Sequence, residues 1–147
     1  MTYARPLHVV IVGATGHERD ALCRRLEGSG FVVCAQAPDG VDALRAAADE
    51  RPDLCVVATG AGFDALGLVD AVNEQAPGVR VVLVGAEPDD EALLAAVDAG
   101  ALGYLSSAME PSRLAAALHD VVANRPAFPR RLGTLLIARL CEANGCA

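Results

Sequence analysis

Residues 8–22 read HVVIVGATGHERDAL, and the fold turns on how its apolar run ends. His8 to Val12 carries four consecutive aliphatic residues without polar alternation, as does a strand covered on both faces. It feeds a Gly13-Ala14-Thr15-Gly16 turn and then a helical period in which Leu22 and Leu26 stand four apart. Glycines between a buried strand and a helix let the backbone approach a pyrophosphate. The turn is therefore either a dinucleotide loop or the remains of a different site.

The same alternation recurs along the chain. Apolar runs at Phe31 to Gln36, Leu54 to Ala58, Val79 to Gly85 and Leu102 to Leu105 are separated by segments of helical period. Val41, Leu44 and Ala48 mark the second helix, and Leu66, Val69 and Val72 the third. The fourth starts at Asp89 or Asp90, carries Leu93, Leu94 and Val97, and stops at Gly100, where a C-terminal glycine belongs. The fifth places Pro111 in its first turn, lines one face with Leu114, Leu118, Val121 and Val122, and ends at Asn124 and Pro126. Strand and helix alternating over short connections predict an α/β fold, a doubly wound five-stranded parallel sheet with helices on both faces. Such sheets place ligands at the carboxyl ends of their strands. That singles out Gly13-Ala14, Ala58-Thr59, Gly85-Ala86 and Ser106-Ser107.

Composition narrows the function. With 147 residues the chain fits one domain, here residues 1–124. Hydrophobic residues make up 53% and Trp is absent, so the core is aliphatic and surfaces for stacking single-stranded bases are scarce. A net charge of −7 repels a phosphate backbone. Five cysteines without a C-x-x-C pair fit a reduced, cytoplasmic protein. No apolar run approaches the roughly 18 residues of a membrane span or has the flanks of a signal peptide. Cys34 and Cys55 fall in strands as small apolar residues, while Cys141 and Cys146 are expected to be more exposed. His8, His17 and His119 are scattered and lack zinc-site spacing. Neither a cofactor nor a metal is expected, and no Ser-His-Asp constellation supports an enzyme.

Residues 125–147, RPAFPRRLGTLLIARLCEANGCA, differ in composition. Two prolines are followed by Arg130, Arg131 and Arg139 around Leu132, Leu135, Leu136, Ile137 and Leu140. They read as a linker and a short helix whose apolar stripe needs a surface: this domain, a second copy, or an output domain outside this sequence.

The dinucleotide reading weakens on inspection. Close helix packing calls for a third glycine at position 19, which is Arg19, and Asp39 sits within APDG, which is turn chemistry. A dehydrogenase of the short-chain kind also needs a Tyr and a Lys together, and all 12 basic residues are arginines. A nucleotide-binding Rossmann-like domain is kept only as a remote alternative.

From Leu7 to about Leu132 the sequence resembles the receiver domains of two-component response regulators, and among them those that precede a LuxR-type (NarL-type) helix-turn-helix. The matching segments are APDGVDAL, RPDLCVV, APGVRVVLV and AGALGYLSSAMEPSRLAAAL, with RPAFPRRL resembling the linker to the DNA-binding part. The resemblance implies a flavodoxin-like receiver fold and a site where two acidic residues hold Mg²⁺, an Asp accepts a phosphoryl group, and a hydroxyl residue and a Lys bind it. Carried over by position, the acidic pair falls on Gly13 and Ala14, the acceptor on Ala58, the hydroxyl on Gly85 and the lysine on Ser107. None has the required side chain; Asp64 and Glu18 lie too far along to substitute. The loop TGAGFDALG also departs from the usual Met-Pro pattern. On this reading the glycine turn replaces a metal-binding pair, and the chain is a degenerate pseudo-receiver.

Two functions follow as expectations. One is a phosphorylation-independent module of transcription control acting as a homodimer, with Leu114, Leu118 and Val122 as its dimer face and DNA reached only through an output domain outside this sequence. Tyr104 matches the switch aromatic of the family and, opposite Gly85, is expected to lack a coupling partner. The alternative is a small-molecule sensor: Gly13, Ala14, Ala58, Gly60, Gly62, Gly85 and Ser107 would leave a neutral crevice beside free helix amides. Thr59, Gly60, Ser106 and Ser107 would line it for an acidic or carbonyl-bearing ligand, unless the loops collapse into the gap.

Overall fold

The computed structural model describes residues 6–60 and 64–145; Tyr3, Gly62 and Cys146 lie outside the described residues. Five strands, β1 (Leu7–Val12), β2 (Phe31–Ala37), β3 (Leu54–Ala58), β4 (Arg80–Gly85) and β5 (Gly103–Ser106), alternate with α1 (Gly16–Leu26), α2 (Gly40–Glu50), α3 (Ala65–Gln75), α4 (Asp90–Ala99) and α5 (Pro111–Val122), and α6 (Arg131–Ala143) follows. The strands pair in parallel in the order β2-β1-β3-β4-β5. That order reverses direction between β1 and β3, as in the flavodoxin-like arrangement, and differs from the 3-2-1-4-5-6 order of dinucleotide folds.

The period of two along each strand divides the interior into two layers. Val9, Ile11, Val56, Val82 and Val84 face α1 and α5, where Leu22, Leu26, Leu114, Leu118 and Val121 cover them. Val10, Val12, Cys55, Val57 and Leu83 face the other way, under Ala43 and Ala47 of α2, Leu68 and Val72 of α3, and Ala96 of α4. The second helix thus differs from its sequence reading. Val41 is 67% exposed and Leu44 half-buried, because the small side chains of Ala43 and Ala47 let α2 lie close on the sheet. Burial pushes the Cys55 thiol up to about 12, and it packs as an inert apolar group.

Helix ends follow the sequence signals. Thr15 and Glu18 form a capping box on α1, Asp39, Asp64 and Asp89 cap α2, α3 and α4, and Gly100 ends α4 at φ 97°. Pro111 stands in the first turn of α5.

The segment after α5 turns back onto the domain. Tyr104 N–H donates to Ala127 O at 3.0 Å and Ala127 N–H to Leu102 O at 2.9 Å, so residues around Ala127 cover the open edge of β5 between Pro126 and Pro129. Gly103 permits this, since a Cβ there would lie 2.8 Å from Ala127 O. Helix α6 then runs against α4. Of the tail's apolar stripe, Leu132 is buried on this domain and Leu135 and Leu136 are half-buried, while Ile137 and Leu140 stay exposed. Cys141, expected to be more exposed, is half-buried on α6.

Candidate functional site at the strand ends

The carboxyl ends of β1, β3, β4 and β5 open between α1 and the loops that follow the strands. A crevice of about 250 Å³ there is lined by His17, Glu18, Ala21, Leu22, Arg25, Ala58, Thr59, Val84, Gly85, Ala86 and Ser107. Parallel register brings Ala58 beside Val84 and Gly85 beside Ser106, so neighbouring strands end at one level. The floor is apolar. The polar groups stand on its two walls: α1 contributes one helical face with His17, Glu18 and Arg25, and the β3 and β5 ends contribute Thr59 and Ser107.

Several expectations change at this point. Thr59 and Ser107 line the crevice; Gly60 and Ser106 do not, and the Ser106 hydroxyl accepts from Ala108 N–H at 3.1 Å to hold the turn after β5. Glu18, which sequence spacing placed too far along, faces the crevice because the first turn of α1 rises beside the end of β3. The crevice is accordingly charged rather than neutral. One of the α1 amides is taken: Thr15 Oγ1 accepts from Glu18 N–H at 3.1 Å, and a Glu18 carboxylate oxygen accepts from Thr15 N–H at 3.3 Å.

Two of the small residues have been filled over by neighbours. Arg19 lies across Gly13, its Nη1 donating to Gly13 O at 2.7 Å, so Gly13 and Ala14 do not line the crevice. A Cβ on Gly13 would lie 3.2 Å from Arg19 Cγ. Over Gly85 the occupant is Thr59: a Cβ added at Gly85 would overlap Thr59 Oγ1. Thr59 also corrects the reading of Tyr104. Its hydroxyl lies 3.4 Å from the Tyr104 hydroxyl, so the aromatic does have a polar partner, supplied by the end of β3 instead of β4. On the far side of this pair lies a second hollow of about 280 Å³, lined by Thr59, Leu66, Leu83, Ala92 and Tyr104 among others. No sequence pattern signals this exchange, because it depends on two strand ends being adjacent.

The expected dimer face also changes. Leu114 and Leu118 are 0% exposed, packed on the sheet, and only Val122 of the three is partly exposed. The outward face of α5 carries Arg113, Ala116 and Asp120 instead. A further hollow, of about 470 Å³, lies at the opposite end of the sheet between the C-termini of α2 and α3, lined by Ala47, Arg51, Pro52, Gln75 and Pro77 among others.

Comparison with known proteins places this architecture. Residues 9–119 match the response regulator receiver domain family. The chain is 33% identical over 118 residues to a protein-glutamate methylesterase/protein-glutamine glutaminase of Myxococcus xanthus, covering 78% of this chain and 33% of that protein. It is 29% identical over 111 residues to the nitrate/nitrite response regulator protein NarL of Escherichia coli, covering 75% and 51%. The chain therefore spans between a third and a half of these two relatives. Among solved structures, a LuxR-family response regulator from an Aurantimonas species superposes with a TM-score of 0.80 at 23% identity over 91% of this chain and 98% of that one. The receiver domain of NarL from Mycobacterium tuberculosis gives 0.76 at 24% identity over 82% and 99%. A doubly wound sheet in this strand order, matched over most of its length by one family model, makes the chain a member of the response regulator receiver domain family.

Proposed function

We propose that this receiver domain works without aspartyl phosphorylation, as a non-enzymatic, cytoplasmic module of transcription control that associates with a second copy of itself. Ala58 carries the reading. It ends β3 at the crevice floor, and a methyl group accepts no phosphoryl group. Around it, Gly13, Ala14, Gly85 and Ser107 stand where the family has an acidic pair, a hydroxyl and a lysine. The magnesium ion that the family implies needs several oxygen ligands, carboxylates above all. Glu18 is the one carboxylate lining the crevice, and one of its oxygens is taken by the α1 cap. That donor set does not fit the ion.

The packing favours α1 and α5 over α4 as the associating surface, because α6 lies along α4 while the outward residues Asp20 and Arg24 of α1 and Arg113 and Asp120 of α5 are exposed. Structures of the regulator RcsB are described as dimers bound to DNA; here a net charge of −7 assigns DNA contact to another domain. Among the described residues no helix is long and apolar enough to cross a membrane.

The test pairs intact mass with light scattering, before and after incubation with Mg²⁺ and acetyl phosphate. The expected result is no phosphorylated species and a dimer of unchanged mass. A phosphorylated chain, or a monomer that dimerises on treatment, overturns the reading. A second reading, that the crevice binds a small molecule, is favoured by its volume and by the charged and hydroxyl groups on its walls.

A further inference from the structure

Resting on that second reading, we infer that the strand-end crevice takes a small zwitterion, its carboxylate held by Arg25 and Ser107 and its ammonium by Glu18. Among the described residues five arginines are half-buried, and four of them have close partners. Arg19 reaches Gly13 O at 2.7 Å, Arg80 reaches Asn124 Oδ1 at 2.9 Å, Arg131 reaches Glu87 and Asp90 at 3.0 and 3.1 Å, and Arg139 reaches Asp98 at 2.8 Å. Among the described residues Arg25 has one hydrogen bond, to Met109 O at 3.5 Å, and no carboxylate partner. A half-buried guanidinium with its donors this poorly matched suits an anion with planar oxygens.

Glu18 presents the opposite charge to the same space. Its Oε1 is engaged by Thr15, whereas Oε2 has no partner among the described residues and would lie 3.1 Å from a Cβ on Gly60. The missing side chain of Gly60 leaves room beside that oxygen. Glu18 and Arg25 stand seven residues apart on one face of α1, about 10 Å between backbones, and both line the crevice. Between them Ala21 and Leu22, with Ala58 and Val84 opposite, form an apolar floor suited to methylenes. The Ser107 hydroxyl also lines the crevice with no hydrogen bond of its own among the described residues. A volume of about 250 Å³ is below the usual range of about 300–1,000 Å³ for drug-sized ligands, which suits an occupant the size of an amino acid or short ω-amino acid.

The experiment is an amide chemical-shift titration of the intact chain with glycine, β-alanine, 4-aminobutyrate and 5-aminovalerate, and with butyrate and butylamine as single-charge controls. At least one zwitterion is expected to move the amides of Ala58, Thr59, Gly85 and Ser107, more tightly than either control. Arg25→Gln is expected to weaken it by about tenfold or more, the loss of one charge-assisted bond. Glu18→Gln keeps the capping box, which glutamine also forms, and is expected to bring the zwitterion down to the affinity of butyrate. Butyrate binding as tightly as every zwitterion overturns the ligand class while leaving a crevice that binds ligands. Shifts unaffected by Arg25→Gln overturn the proposed contacts. Silence from all six compounds overturns both the class and the ligand-binding reading, and leaves the phosphorylation-independent module standing on its own test.

Discussion

Helices α5 and α6 have almost the same length, 12 and 13 residues, and both carry leucines at helical spacing, yet they are held by different forces. α5 lies on the sheet with Leu114, Leu118 and Val121 wholly buried against Ile11, Val56 and Val82. α6 buries Leu132 alone, leaves Ile137 at 68% and Leu140 at 62% exposed, and is fastened by charge. The Arg131 guanidinium reaches Glu87, Asp90 and the carbonyl of Pro88, and Arg139 reaches Asp98. Hydrophobic burial scales with the area removed from water and is not screened by salt, whereas exposed ion pairs are weak and screened. The two helices should therefore respond differently to truncation and to ionic strength.

The largest effect is expected from Leu118→Ala. Emptying a fully enclosed site costs about 2–5 kcal/mol through lost transfer energy and a residual cavity. Urea unfolding should show the midpoint falling with little change of slope. Ile137→Ala on α6 is expected to stay within about 0.5 kcal/mol, as exposed substitutions do. A loss at Ile137 comparable to that at Leu118 would break the contrast, since it would mean that the outer stripe of α6 is covered in solution.

The next effect concerns the crevice wall beside α5. Gly85→Ala puts a methyl where Thr59 Oγ1 sits, and such overpacking costs about 1–3 kcal/mol. Combining it with Thr59→Ala should recover most of that loss, a coupling that a double-mutant cycle reads directly. Additive losses would show that Thr59 does not occupy the space over Gly85.

The opposite layer offers a pH test. Cys55 is held neutral in the fold, its thiol pushed up to about 12 by burial, against about 8.5 in an unfolded chain. A raised folded value means that the unfolded state loses its proton first. The contribution is thus complete below about pH 8.5 and is lost as pH climbs towards the folded value, by about 1.4 kcal/mol per unit. Cys55→Ala should remove this slope between pH 9 and 11; an identical slope in both proteins would assign it to other groups.

These contrasts also mark what the sequence can reveal. The apolar run ending at Val12 and the turn at Gly13 were readable because a parallel strand buried on both faces needs unbroken aliphatic residues, and α4 was readable from Asp89 and Gly100 at its ends. α2 was misread from Val41 and Ala48, since bulky residues draw the eye where alanines make the close approach. At the crevice, Ala58 and Ser107 were found by position, but Glu18, Arg25 and the Thr59–Tyr104 contact were not. Those depend on where long side chains lean across neighbouring elements, and spacing along one chain does not encode that. The dimer face failed for a related reason: a helical stripe in sequence is the same whether it meets the sheet or a partner, and Leu114 and Leu118 meet the sheet.

The smallest effect on global stability, and the sharpest on local order, is expected from Arg131→Ala. Arg131 joins Glu87 and Pro88, between β4 and α4, and Asp90, the first residue of α4, and the carboxylate of Glu87 holds it firmly charged. Removing it leaves α6 with one fully buried side chain, Leu132, the Arg139–Asp98 pair and half-buried contacts on α4, a hold weak enough for the helix to open independently of the sheet. Amide exchange in residues 131–143 should accelerate while β1, β3 and β4 keep their protection, and raising salt on the unaltered chain should move α6 in the same direction. Because Ala86, next to Glu87, lines the crevice, a change of exchange at Ala86 to Asp90 in the same variant would connect the tail to the strand ends. Exchange of α6 that stays slow in Arg131→Ala and in high salt would instead show that apolar contact, not charge, fastens the tail, and would erase the distinction between the two helices.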